Sequence, residues 1–249
     1  MIHLKSAAEI DTIGRAGAIL AALYREIPAQ VRPGVSTADL DRWAEAFIRS
    51  HHGAEPAFKG LYGFPATLCT SVNHEVVHGI PSARRVLKEG DVISVDCGVK
   101  LEGFYADAAV TIPIAPIAPD VEKLLERTQV ALQRGIEQAR PGNRLGDVGA
   151  AIQEVADAEK YGVVRELVGH GVGRQPHEEP QVPNFGTRGK GLKLLEGMVL
   201  AIEPMFNLGS AGVRTLPDRW TVVTADRRVS AHFEHTVAVT ADGPRILTI

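Results

Sequence analysis

Asp96 and Asp107 lie in one stretch, Asp91-Val-Ile-Ser-Val-Asp96-Cys-Gly-Val-Lys-Leu-Glu-Gly-Phe-Tyr-Ala-Asp107, that reads as a β-hairpin. A turn centred on Leu101-Glu102 would set the two carboxylates directly opposite each other. Opposed side chains on one sheet face have Cβ atoms roughly 5 Å apart, and like charges there repel. Such a pair either shares a proton or holds a cation. Three further residues favour the cation. Glu203 closes the apolar strand Val199-Leu-Ala-Ile202, and Pro204 ends that strand at once, leaving the carboxylate at its tip. Glu234 interrupts a strand pattern in Ala231-His-Phe-Glu-His-Thr. His170 stands in Gly169-His-Gly-Val-Gly173, where backbone can approach a ligand closely.

Taken singly, each has a plainer reading. A strand-end carboxylate can be a solvated rim residue, and a histidine after glycine can be structural. Together, Asp96, Asp107, Glu203 and Glu234 bring about four negative charges, which two divalent cations would neutralise. Oxygen ligands alone would suit magnesium or calcium. One imidazole moves the expectation to manganese, iron, cobalt or zinc. Two such ions roughly 3.5–4 Å apart can share a water, lower its pKa and polarise a carbonyl.

The elements that must position these residues come in two rounds. Ser6-x-x-Glu9 reads as a capping box, followed by Ile10, Ile13, Gly17, Leu20 and Tyr24 at helical spacing. Ser36 caps a second helix carrying Leu40, Trp43, Ala44 and Phe47. Asp120 and Asp147 open two more. His51 and His52 close the second helix, favour its C-terminal dipole, and are given no chemistry. Strands are expected over 92–98, 104–111, 198–203, 230–240 and 245–249, with Asp242-Gly243 as the last hairpin turn. The rounds share motifs. Arg32-Pro-Gly34 precedes Asp39 as Arg140-Pro-Gly142 precedes Asp147. Glu89-Gly-Asp-Val92 leads to Asp96 as Glu196-Gly-Met-Val199 leads to Glu203. A single domain over 1–249 is therefore expected, made of two similar halves at approximately 6–112 and 118–249 about a pseudo-twofold axis. Pro113-Ile-Ala-Pro-Ile-Ala-Pro119 reads as the connector between them.

The 249 residues are 45% hydrophobic and 23% charged with a net charge of −3, an ordinary globular composition with no basic field for nucleic acid or anionic lipid. Two cysteines, Cys69 and Cys97, suit a reducing compartment and are too few for a zinc-finger framework. No apolar signal core opens the chain and no run reaches membrane-spanning length, so a cytoplasmic location is expected.

The chain also resembles a known family. Asn73-His-Glu-Val-Val-His78-Gly, Asp91 to Asp96, Tyr105-Ala-Asp107, Gly169-His170-Gly, Gln175-Pro-His177-Glu-Glu-Pro, Ala201-Ile-Glu203-Pro-Met and Phe233-Glu234-His235-Thr resemble methionine aminopeptidase type I in its short bacterial form. The resemblance runs in order over almost the whole chain. It implies the α/β pita-bread fold: two pseudo-symmetric halves around a mixed, largely antiparallel curved sheet. It implies two divalent metal ions, cobalt, manganese, iron or zinc. Asp96 would chelate one ion, Asp107 and Glu234 would bridge both, and His170 and Glu203 would complete the other. Glu203 would also handle the proton of the attacking water. His177 would stabilise the tetrahedral intermediate, and His78 would contact the substrate backbone and help proton transfer to the leaving amine. Phe58, Leu61, Tyr62, Phe64, Cys69 and Trp220 would line the pocket for the methionine side chain. Leu61 departs from the aromatic common at its position, and Pro176 from the phenylalanine some members carry. His74, His232 and His235 are left as structural or as supports standing behind the ligands.

The reaction so implied is removal of the initiator methionine from nascent polypeptides when the second residue is small. The partners would be nascent N-termini and the ribosome, and the chain a monomer. The rivals are an Xaa-Pro aminopeptidase or prolidase, which usually has an extra N-terminal domain, and a non-catalytic peptide-binding protein on the same fold, which typically lacks metal ligands.

Overall fold

The computed structural model describes residues 2–249. Each half opens with two helices, and local chemistry sets where they start. The Glu9 carboxylate accepts the Ser6 backbone N–H at 2.9 Å while Ser6 Oγ accepts from the Glu9 N–H at 3.4 Å, so the expected capping box starts α1 (Ala7–Gln30). Ser36 and Asp39 repeat the device before α2 (Thr37–Arg49). The second pair starts slightly earlier than expected. Pro119 takes the first turn of α3 (Pro119–Glu137), with Asp120 just inside it. Asp147 sits in the first turn of α4 (Leu145–Glu159) and accepts the Arg144 N–H at 2.8 Å.

After α2 come β1 (Ala54–Pro56), β2 (Leu68–Val72), β3 (Glu75–Val77), β4 (Val92–Leu101) and β5 (Phe104–Pro113). After α4 come β6 (Gly162–Val163), β7 (Gly169–Gly171), β8 (Glu178–Val182), β9 (Val199–Ile202) and β10 (Met205–Asn207). The chain ends with β11 (Val213–Thr215), β12 (Val222–Thr224), β13 (Ser230–His232), β14 (Glu234–Thr240) and β15 (Gly243–Ile246). The run expected as one strand over 230–240 is broken at Phe233, and the last hairpin turns at Ala241-Asp242.

Nine strands form the main sheet in the order β1-β4-β5-β14-β9-β7-β8, with β2 also on β4 and β15 also on β14. A mixed, largely antiparallel sheet was the expectation, and each pairing among the described residues is antiparallel. Outward from the β5–β14 seam the order reads alike on both sides: β5, β4, β2 in the first half and β14, β9, β7 in the second.

The β4–β5 hairpin corrects one expectation. Its loop is Glu102-Gly103, with φ of 50° and 80°, so Leu101 pairs with Phe104. Positive φ at both loop residues is the turn that matches strand twist, and glycine takes it without a Cβ clash. Asp96 is therefore opposite Ala109, and Asp107 opposite Gly98. The register moves by an even step, so both carboxylates stay on one face as diagonal neighbours.

Alternation gives the sheet two unlike faces. Ile93, Val95, Cys97, Val99, Ala106 and Ala108 face α1 and α2, in a core with Ile13, Leu20, Leu23 and Leu40. Leu200, Ile202, Val237 and Val239 face α3 and α4 with Leu124, Ile136 and Ile152. Fully burying each such aliphatic side chain stabilises by about 1.5–3 kcal/mol. The opposite face carries the polar groups.

Candidate active site

Register alone brings six side chains to that face. Cys69 pairs with Asp96, Asp96 with Ala109, Ala109 with Glu234, and His170 with Ala201. Paired residues share a face, and Asp107 and Glu203 are each two residues from one of these positions. Glycines flank His170 because carbonyls press on both sides. A Cβ on Gly169 would lie 2.3 Å from Ala201 O, and one on Gly171 2.3 Å from Glu179 O.

One ligand atom from each of Asp107, His170 and Glu234 lies within 4.8 Å of the other two. His170 Nε2 is 3.9 Å from Asp107 Oδ2 and 3.6 Å from Glu203 Oε1. At 3.0 Å from His170 Nδ1 stands the Gly171 carbonyl, which can only accept, so Nδ1 carries the proton and the Nε2 lone pair faces the carboxylates. Asp96 Oδ1, Asp107 Oδ1 and Glu234 Oε1 are buried with no hydrogen-bond partner. Loss of solvation raises the pKa of Asp96, Asp107, Glu203 and Glu234, and the carboxylates raise one another further at Asp96, Glu203 and Glu234. Orphaned oxygens crowded around one bare imidazole nitrogen form a donor set that fits divalent cations.

The carboxylates floor a cavity of about 290 Å³. Its walls include each residue expected there: Phe58, Leu61, Tyr62, Phe64, Cys69, His78, His177 and Trp220. Phe64 and Trp220 meet edge to face at 5.1 Å. Tyr62 is 74% exposed, so it forms the rim, stacked on His177 at 5.9 Å. The His177 ring is T-shaped to His170 at 4.4 Å. His78, at φ 58°, presents its ring 6.4 Å from that of Trp220. Burial lowers the pKa of His177, and that of His78 to about 4, so both are neutral near pH 7. Cys97 points to the helical face, as the strand alternation required.

Sequence reasoning missed four apolar walls: Val77, Leu167, Val168 and Met205. Each is within three residues of a motif residue, which was the available signal. It left His232 open between a structural residue and a support behind the ligands. That ring is buried with neither nitrogen partnered, and its Nε2 is 3.7 Å from Glu203 Oε2. Two threonines were missed as well. Thr236 Oγ1 accepts the Asp107 N–H at 2.9 Å and donates to Asp107 O at 2.7 Å. Thr111 Oγ1 does the same for His232, at 2.9 and 2.8 Å.

Comparison with known proteins agrees with this geometry. The model of metallopeptidase family M24 matches residues 11–241. A methionine aminopeptidase of Clostridium perfringens is 53% identical over 249 residues, covering 100% of this chain and 99% of that one. Methionine aminopeptidase 1 of Bacillus subtilis is 50% identical over 248 residues, covering 100% and 99%. The crystal structure of a methionine aminopeptidase from Thermotoga maritima superposes with a TM-score of 0.97 at 43% identity, covering 100% and 99%.

Proposed function

The chain belongs to metallopeptidase family M24 and has its pita-bread fold, and from that premise we propose that it removes the N-terminal methionine of polypeptides by metal-assisted hydrolysis. One observation carries the reading: the carboxylate–imidazole cluster and an aromatic, sulfur-lined pocket are two ends of a single cavity. The apolar end suits a flexible thioether side chain, which packs well against aromatic edges. The charged end suits the free α-amine of the substrate.

In this reading Asp96, Asp107, His170, Glu203 and Glu234 hold two divalent ions, the number that balances the carboxylate charge. When bound, such ions lower the pKa of water and polarise the scissile carbonyl. Glu203 takes the proton of the attacking water, from a position facing His170 on one oxygen and His232 on the other. His177 is neutral, with its ring against His170 and its outer side exposed, and offers an N–H to the oxygen where negative charge develops. His78, also on the cavity wall, contacts the substrate backbone and helps the proton taken up by Glu203 reach the departing amine. Phe58, Leu61, Phe64, Cys69 and Trp220 enclose the methionine side chain, with Tyr62 at the mouth. The site belongs to one domain of duplicated halves, 6–112 and 118–249, supported by the like strand order about the seam. The substrates are nascent chains met in the cytoplasm, near the ribosome, by a monomer. Among the described residues no helix is long and apolar enough to cross a membrane.

The test is hydrolysis by the metal-reconstituted protein of methionyl tripeptides varied at the second residue, with Xaa-Pro peptides alongside. Turnover of Met-Ala-Ser that falls steeply as the second residue grows is expected. Turnover of the proline substrates alone would overturn the assignment.

A further inference from the structure

His177 ends the loop 172–177 between β7 and β8 and borders two cavities. One is the site above. The other, about 450 Å³, is lined in part by His3, Leu4, Lys5, Phe104 and Arg174. The segment before α1 thus runs directly beneath the loop.

Lys5 is threaded into a slot there. Its backbone N–H donates to Gly197 O at 2.7 Å. A Cβ on Gly197 would stand 2.8 Å from the Lys5 backbone O, and one on Gly173 2.4 Å from Lys5 Cε, where it would push the end of the lysine side chain aside. At the end of the slot Lys5 Nζ donates to Glu178 Oε2 at 2.6 Å, and the two side chains are only 5% and 8% exposed. The other Glu178 oxygen accepts the Gln175 N–H at 3.0 Å. One carboxylate therefore braces the loop on both sides of His177. The Tyr105 N–H donates to Gly173 O at 2.8 Å, tying the loop's start to the strand that carries Asp107. A surface ion pair would hold little, but a buried one leaves an uncompensated charge when either partner is lost.

We infer that Lys5 is a positioning residue for His177: through Glu178 it fixes the imidazole against His170 and over the cluster. The inference rests on the peptidase reading and on the role given there to His177. It makes the segment before α1 part of the active-site scaffold, although Lys5 itself touches no reacting atom.

A double-mutant cycle on the full chain tests it: the unchanged protein, Lys5→Met, His177→Ala and the pair, all metal-loaded, on Met-Ala-Ser. Misplacing a positioned group by about 1 Å can cost up to about 100-fold in rate. We expect Lys5→Met to lower kcat at least about tenfold, with KM changed less than about twofold and metal content by elemental analysis unchanged. In the His177→Ala background the same change should cost less than about twofold. Equal losses in both backgrounds, or no loss in either, would overturn the inference. Should Lys5→Met fail to fold, Lys5→Met/Glu178→Gln leaves no buried charge unpaired and carries the same expectations. An unchanged, metal-loaded protein that cleaves no methionyl peptide would sink the peptidase reading, and this inference with it.

Discussion

Glu203 stands between two imidazoles, 3.6 Å from His170 Nε2 and 3.7 Å from His232 Nε2. A general base in that position must be a carboxylate, because an amide of the same shape cannot accept the proton. Proton transfer by a positioned group contributes roughly 10²–10⁴-fold. Glu203→Gln is expected to lower kcat by about 10³-fold while the thermal transition of the cation-free chain stays or rises, since one of four crowded, desolvated carboxyl groups is removed. Steady-state kinetics beside calorimetry checks this, and turnover within about tenfold of the unchanged protein would remove Glu203 from the mechanism. These polar residues were legible in the sequence because a carboxylate ending an apolar strand, or a histidine between glycines, needs a reason. The apolar walls Val77, Leu167, Val168 and Met205 were not, because a valine facing a ligand and a valine facing a core look alike in sequence. His232 stayed hidden for a related reason. Only the fold shows that its ring is buried without a partner beside Glu203.

Between β5 and β14 the ladder has only two paired positions, Glu234 with Ala109 and His235 with Ala108. Beyond them, side chains continue the joint. Thr236 takes both backbone groups of Asp107, and Thr111 both of His232. Each threonine stands in for a pair of ladder bonds at the place where the two halves must hold their carboxylates together. Thr236→Val keeps the shape and β preference but leaves two buried backbone groups without partners. At about 1–3 kcal/mol for each of the two groups, a loss of about 2–6 kcal/mol is expected in denaturant unfolding. Metal affinity should fall about tenfold or more as Asp107 loosens. Thr236→Ser retains the hydroxyl and should recover most of both. A valine variant as stable as the parent would mean that water takes over the hydroxyl's role. This seam is also where the sequence was hardest to read. The capping boxes, the Pro113–Pro119 connector and the strand cores follow local rules, and the helices began within about three residues of where those rules put them. Cross-strand partners follow no local rule. The hairpin turn was read as Leu101-Glu102, one residue early, although Leu101 gains nothing from a positive φ that Gly103 takes freely. The face assignment survived because the displacement was even, and the cluster depended on the face alone.

The two halves each bury an aliphatic core on the helical side and turn their carboxylates to the other, so the cluster is assembled only when both halves fold and dock along the seam. Folding therefore gathers like charges, and without a cation it must do so against their repulsion and desolvation. The recurring Arg-Pro-Gly and Glu-Gly motifs were visible in the sequence, whereas the electrostatic cost of bringing the carboxylates together appears only in the fold. The direction of the resulting pH dependence follows from the shifts. Burial raises the carboxylates above their unfolded values, Asp107 to about 7 and Asp96, Glu203 and Glu234 in the same direction. The folded cation-free chain thus holds more protons than the unfolded chain, and stability from these groups is lost as pH rises through their folded values. Burial lowers His78 and His170 to about 4 and His232 to about 3, so their contribution is intact above the unfolded value of 6.5 and lost only as pH falls below it. Above pH 6.5 the carboxylates alone set the slope, and the cation-free chain should weaken towards pH 8. A divalent cation displaces the protons and cancels the repulsion, so its affinity rises over the same interval. At about 100 times its dissociation constant it stabilises by about 2.7 kcal/mol. Melting temperatures with chelator and with manganese or cobalt, at pH 6.5, 7.25 and 8, should show a gap that widens with pH. Titration calorimetry in buffers of different ionisation enthalpy should show proton release on binding. A gap that stays constant or narrows would mean the carboxylates are already ionised in the cation-free chain, held apart by something other than the cation.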